Sequence, residues 1–145
     1  MSEAIKEAEL ARDSGDWPVG CVIVIDNRIV SRGRNRVYSS ENKILHAEID
    51  AIFKVSNLLV DRGQDVTMYI TYEPCPMCFG AIILNHVGRV VCGSNIDKSG
   101  ALEMMDYLPS RFSEQRYKFD LVKNFMEEEC RRVFMSGEPA KKLKL

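Results

Sequence analysis

Two short motifs, His46-Ala47-Glu48 and Pro74-Cys75-Pro76-Met77-Cys78, constrain this chain more than any other feature. Cysteines two residues apart suit a single metal ion, because the turn between them brings both sulfurs to one side. A neutral imidazole from His46 would add a third ligand, and zinc prefers four, tetrahedral, from nitrogen and sulfur. Three protein ligands leave one position open to water, the mark of a catalytic site and not a structural one. Residues two apart on a helix point to different sides, so one ion would not readily take both His46 and Glu48. Their roles therefore divide: His46, Cys75 and Cys78 as ligands, Glu48 as the acid/base that takes a proton from water and later returns it. The fold must bring two distant helix starts to one point.

Taken alone, a C-x-x-C pair also suits a dithiol oxidoreductase that uses Cys75 and Cys78. A structural zinc ribbon would need a second such pair, and the sequence has none. A zinc-stabilised binding module without catalysis is the third reading. What favours the catalytic one is the conjunction of H-x-E with P-C-x-x-C across a helix, a loop and a strand. That conjunction is the established signature of zinc-dependent nucleobase deaminases.

The rest of the chain supplies the frame. Residues 3–14 form an amphipathic helix that ends near Gly15. Cys21 to Ile25 is a continuous run dominated by β-branched residues, as expected for a strand covered on both faces. Asp26-Asn27 is a two-residue hairpin turn, and residues 29–33 return as the second strand. A polar loop runs through Asn42, and helical spacing extends from Leu45 to about Leu59. Residues 66–72 make the third strand, a helix runs from about Pro76 to Asn85, and residues 89–93 make the fourth. This β-α-β unit implies parallel strands, with the site at a strand's carboxyl end. Residues 94–109 are a loop and a short helix, and 118–122 the fifth strand. A helix over 125–135 follows, broken by Gly137-Glu138-Pro139, and 141–145 is a solvated tail.

With 145 residues the chain suits one domain. No run approaches the roughly eighteen apolar residues of a membrane span, and the polar start is no signal peptide, so a cytoplasmic protein is expected. Five cysteines, with Cys21 and Cys92 inside apolar runs, argue against a disulfide framework; Cys21, Cys92 and Cys130 read as small buried hydrophobes. The net charge of −1 gives no global pull toward nucleic acid. Arg111-Phe112 with Arg116-Tyr117 reads as solvated surface. Trp17 and Phe79 read as core or interface, and His86 as a helix C-terminal residue.

From about Ala4 to Phe134 the sequence resembles the cytidine deaminase-like superfamily, and within it the tRNA adenosine deaminases. The likeness rests on Trp17-Pro18-Val19-Gly20, Asn35-Arg36, His46-Ala47-Glu48-Ile49 and Tyr72-Glu73-Pro74-Cys75-Pro76-Met77-Cys78. Gly88-Arg89-Val90-Val91, Asp97-Lys98-Ser99-Gly100-Ala101 and Met105-Asp106-Tyr107-Leu108 extend it. The resemblance implies a three-layer α/β/α fold with a five-stranded mixed sheet between helix layers. It also implies one zinc per chain and a homodimer. Asn35 would hydrogen-bond the substrate base, while backbone amides near Ala47 and Cys75 would steady developing charge. The reaction implied is hydrolytic removal of an exocyclic amino group, foremost from adenosine in tRNA, where inosine would form at the wobble position. Some residues lean elsewhere. Leu45 and Gly80-Ala81-Ile82-Ile83 are closer to fungal cytosine deaminases, Glu73 to Cys78 is equally similar to bacterial guanine deaminases, and Asn85-His86 replaces the usual Ser-Arg. A free base or nucleoside is therefore the alternative substrate.

Overall fold

Both residues of the Asp26-Asn27 turn take positive φ, 50° and 59°, as a type I′ hairpin requires. The turn joins β1 (Gly20–Ile25) to β2 (Arg28–Arg34) as an antiparallel pair. A computed structural model of the chain describes residues 1–96, 98, 100–109 and 120–141. On its other side β1 pairs antiparallel with β3 (Thr67–Tyr72). Next comes β4 (Arg89–Ser94), parallel to β3, and then β5 (Asp120–Val122), parallel to β4. The sheet is mixed and five-stranded, in the order β2-β1-β3-β4-β5.

Helices cover both faces. On one lie α1 (Ser2–Asp13) and α5 (Glu127–Met135), against β1 and β4 respectively. On the other lie α2 (Ala47–Lys54), α3 (Ser56–Arg62) and α4 (Pro76–Leu84). Small residues set the spacing. A Cβ on Gly20 would stand 2.0 Å from the Ala4 carbonyl oxygen, and one on Gly33 would stand 2.1 Å from that of Ala47. Alternation along the strands sends Cys21, Ile23, Met68, Ile70, Val90 and Cys92 into one core with Ala47, Ala51, Phe79 and Ile82. Cys130 is buried as well, so the three cysteines outside the metal motif behave as small hydrophobes.

The largest departures from the sequence reading are in the helices. The helix expected over 45–59 begins at Ala47, with Leu45 still in the loop, and divides at Val55, whose φ of −129° and ψ of 21° leave the helical region. The break lets Leu59 turn inward while Phe53 and Val60 face outward, 80% and 82% exposed. The last long helix starts at Glu127, because Phe125 is still tied by its amide to the Cys92 carbonyl and Met126 caps the helix with φ 54°. After Gly137 the chain forms one more turn, α6 (Glu138–Lys141), with Pro139 in its first turn, where a missing amide costs nothing. Lys118, Phe119, the Arg111-to-Tyr117 stretch and the tail from 142 onward lie outside the described residues. Among the described residues, no helix is long and apolar enough to cross a membrane.

Candidate active site

His46 and Cys75 each occupy the N-cap of a helix, His46 before α2 and Cys75 before α4, with extended backbones (ψ 162° and 169°). An N-cap residue is not yet wound into the helix, so its side chain can turn across the helix mouth. Pro76 at the first position of α4 fixes that start, and Cys78 follows within the first turn, buried. The ligand atoms of His46, Cys75 and Cys78 all lie within 4.8 Å of one another, and His46 Nδ1 is 3.6 Å from Cys75 Sγ. Zn–S bonds of about 2.3 Å and Zn–N bonds of about 2.0 Å in a tetrahedron place donor atoms roughly 3.5–3.8 Å apart. The donor set fits zinc in both chemistry and spacing. His86 lies outside this group, on the exposed turn after α4.

Protonation in the trio follows from mutual hydrogen bonding. The Cys78 thiol donates to Cys75, and with His46 alongside this lowers the Cys75 thiol to about 4. Cys78 is pushed far up by the same bond and by burial. His46 is raised by its contact with the Cys75 sulfur. Zinc binding to this set therefore has to displace the proton that Cys78 retains. A low-pKa cysteine would also serve a redox pair, but a redox pair has no need of an imidazole at ligand distance.

Glu48 sits in the first turn of α2 and is only 3% exposed, and burial raises its carboxyl pKa. It lines a cavity of about 230 Å³ together with His46, Cys75 and Asn35. Asn35 is 4% exposed. Its Oδ1 accepts the Val37 amide at 3.1 Å, a turn-forming bond that fixes the side chain in the cavity wall. Ala47 does not line the cavity. Its side chain is in the core, while its backbone begins α2, where amides lack intrahelical acceptors.

The apolar wall departs from expectation. Phe79 is core, but Trp17 is half-buried and lines the cavity. It stacks on Phe134 from α5 (centroids 5.7 Å apart), and Phe134 stacks in turn on Tyr72 at the end of β3 (4.2 Å). Glu73 was also missed. Its buried carboxylate accepts the Leu102 amide at 3.2 Å and the Asn95 side-chain amide at 2.9 Å, fastening the segment after β4 beside Cys75. The Tyr72 hydroxyl takes the Ile96 amide. Only the position of Tyr72-Glu73 ahead of the cysteines hinted at these roles.

Fold and site together define the zinc-dependent nucleobase-type deaminases: three side chains able to hold a metal at two helix mouths and a buried carboxylate at the strand's carboxyl end. Residues 1–94 match the model of the cytidine and deoxycytidylate deaminase zinc-binding region, and the chain belongs to that family. Within it the chain is 39% identical over 133 residues to a tRNA-specific adenosine deaminase of Bacillus subtilis, covering 90% of this chain and 81% of the relative. It is 33% identical to that of Streptococcus pyogenes serotype M1, covering 99% of this chain and 86% of the relative. A solved structure from studies of A-to-I editing by tRNA:A34 deaminases superposes with a TM-score of 0.77 at 31% identity, over 92% of this chain and 96% of that one. Guanine deaminase from Bacillus subtilis gives 0.60 at 30% identity, over 81% and 80%. The chain is a zinc-dependent hydrolytic deaminase.

Proposed function

We propose that the substrate is an adenosine carried in tRNA, converted at the wobble position to inosine with release of ammonia. Glu48 carries the reading: it is a buried carboxylate on the wall of a small cavity, two residues from one metal donor and in contact with another. The cavity is smaller than the roughly 300–1,000 Å³ of pockets for drug-sized ligands, which suits one planar base turned out of a stack. The likeness to tRNA-specific adenosine deaminases over nearly the whole chain supports the choice of base and carrier.

A bound zinc supplies Lewis acidity that brings the pKa of a coordinated water toward neutrality. Glu48 takes the proton released as the water oxygen adds to the amino-bearing ring carbon, and passes it to the neighbouring ring nitrogen. It then moves the second water proton to the departing amino group. The C–N bond breaks, and water plus amine become carbonyl plus ammonia. Asn35, held by its own turn, offers its amide to the base, and the backbone amides at the two helix starts would steady the charge that builds on it. Trp17, Phe134 and Val19 keep the wall dry. The proposal includes a homodimer, since Phe53, Val60 and Leu84 leave apolar surface that a second copy would cover.

The test is ammonia release from an anticodon stem-loop with adenosine at the wobble position, run beside adenine, guanine, cytosine and their nucleosides. Turnover confined to the stem-loop is the expected result. Turnover of guanine alone would instead favour the second reading, to which the guanine deaminase likeness points.

A further inference from the structure

Asn35 stands between two residues that are held by one carboxylate. Asp50 lies on α2, and its amide donates to the His46 carbonyl at 2.9 Å, one turn from the metal donor. Its side chain is buried. Asp50 Oδ2 accepts the backbone amide of Arg34 at 3.2 Å and Lys54 Nζ at 2.8 Å. Its Oδ1 accepts Arg36 Nη2 at 3.4 Å. The residues on either side of Asn35 are thus strapped to the helix that presents His46 and Glu48.

The other bonds of this segment run to different parts of the fold. The Asn35 amide donates to the Val19 carbonyl, its Oδ1 accepts from Val37, and Asp16 Oδ1 takes the Tyr38 and Ser39 amides further along. The Arg36 amide also donates to the Leu45 carbonyl at 2.9 Å, and Ser31 Oγ and Lys54 Nζ join β2 to α2 further from Asn35, but among the described residues Asp50 is the one side chain of α2 that holds both Arg34 and Arg36. There is no slack at that seam, because the Gly33 backbone already packs directly on the Ala47 carbonyl and the Ala51 amide. A buried carboxylate costs free energy unless donors surround it, and an apolar residue would fill the same place on α2 more cheaply. The charge makes sense where donors from strand, loop and helix have to be fixed relative to one another.

We propose that Asp50 is a positioning residue for the reaction. By gripping Arg34 and Arg36 it holds the Asn35 side chain where it meets the base, and so sets how tightly the base is held. Its side chain acts through Asn35 and touches neither base nor metal donor. This inference rests on the reading of Asn35 as the group that hydrogen-bonds the base.

The experiment measures steady-state kinetics on the adenosine stem-loop for Asp50→Asn, Arg36→Met, Asn35→Ala and the Asp50→Asn/Asn35→Ala double variant. In parallel it records the nitrogen–proton NMR signals of the Asn35 side-chain amide, assigned by their loss in Asn35→Ala. Asp50→Asn should raise KM roughly three- to tenfold with kcat little changed, as expected when one hydrogen bond common to ground and transition state is weakened. In the Asn35→Ala background the same change should move KM by less than about twofold, a non-additivity that general destabilisation would not produce. The Asn35 amide signals should shift. Arg36→Met cuts one strap on a half-exposed side chain, and it should reproduce the KM effect if Asp50→Asn fails to fold. A full KM effect of Asp50→Asn without Asn35, or unshifted amide signals, overturns the proposal. Parental KM in Asn35→Ala overturns instead the reading of Asn35, and the strap is then decided by the amide signals alone.

Discussion

His46 Nδ1 and Cys75 Sγ lie 3.6 Å apart although 29 residues separate them, because each caps a helix that starts at the same end of the sheet. Cap positions serve metal binding well, since they are anchored by a helix without being wound into it. The core beneath, from Cys21 and Ile23 to Phe79 and Ile82, is built from side chains that do not include the three donors. Purified protein should therefore carry about one zinc per chain, and His46→Ala should lose most of it. Chelation should abolish ammonia release yet leave the far-ultraviolet circular dichroism in place. Global unfolding on chelation would instead identify the zinc-stabilised binding module.

Thiol chemistry gives a second check on the same site. In zinc-stripped protein Cys75 is ionised above about 4, whereas burial holds the Cys130 thiol up at about 11 and keeps Cys21 raised as well. Alkylation at neutral pH should therefore modify Cys75 first, at a rate nearly flat between about pH 6 and 8, since the reactive thiolate is already present. Peptide mapping should find Cys21, Cys92 and Cys130 unmodified while the chain is folded. Zinc should protect Cys75. Equal labelling of all five cysteines would contradict the burial pattern.

Glu48→Gln keeps the size of the side chain and removes its capacity to carry a proton. Zinc content should stay at the parental value while kcat falls by about two to four orders of magnitude, the usual worth of a positioned acid/base. The comparison of metal analysis with ammonia release separates the proton carrier from the ligands. His46→Ala should lose both quantities, Glu48→Gln only one. Retained turnover in Glu48→Gln would remove it from the mechanism.

What could be read from the sequence was local chemistry. The convergence of His46, Cys75 and Cys78 is legible because each motif falls at a helix start, and the Asp26-Asn27 turn because a type I′ turn has few acceptable residues. The division at Val55 was hidden, since apolar residues keep their helical spacing straight through it. Trp17 packs against a core cluster as expected, but the cavity wall it forms with Phe134 is not legible, because it joins the loop before β1 to the end of α5, a contact no local pattern records. Asp50 belongs to no motif, and its partners Arg34 and Arg36 are defined only by the fold.

The aromatic wall makes a prediction of its own. Phe134 has Tyr72 stacked at 4.2 Å and Trp17 at 5.7 Å, and is 4% exposed. Phe134→Ala should cost about 3–5 kcal/mol in denaturant unfolding, as other buried phenylalanine truncations do. Phe134→Leu retains most of the volume and should fold. It loses the ring that keeps Trp17 against the cavity, so KM for the stem-loop should rise while zinc content stays constant. Trp17→Phe should restore part of what Trp17→Ala loses, because a ring at this position can still stack on Phe134.

Two glycines test the packing on either face of the same helix layer. A Cβ on Gly33 would stand 2.1 Å from the Ala47 carbonyl oxygen and 2.5 Å from the Ala51 amide nitrogen, both backbone atoms that cannot yield without moving α2. Gly33→Ala should therefore push α2 off the sheet, lowering Tm by several degrees and disturbing the His46 cap at the same time. Gly80 lies inside α4, and a Cβ there meets nothing within 4 Å among the described residues. Alanine at a helix interior gains about 0.5–1 kcal/mol over glycine, so Gly80→Ala should raise Tm with ammonia release intact. Calorimetry of the two variants, with zinc analysis alongside, decides it: shifts in Tm of opposite sign are expected, the larger for Gly33→Ala, with metal lost only from that variant. A stable, fully metallated Gly33→Ala would mean that β2 and α2 are not in backbone contact.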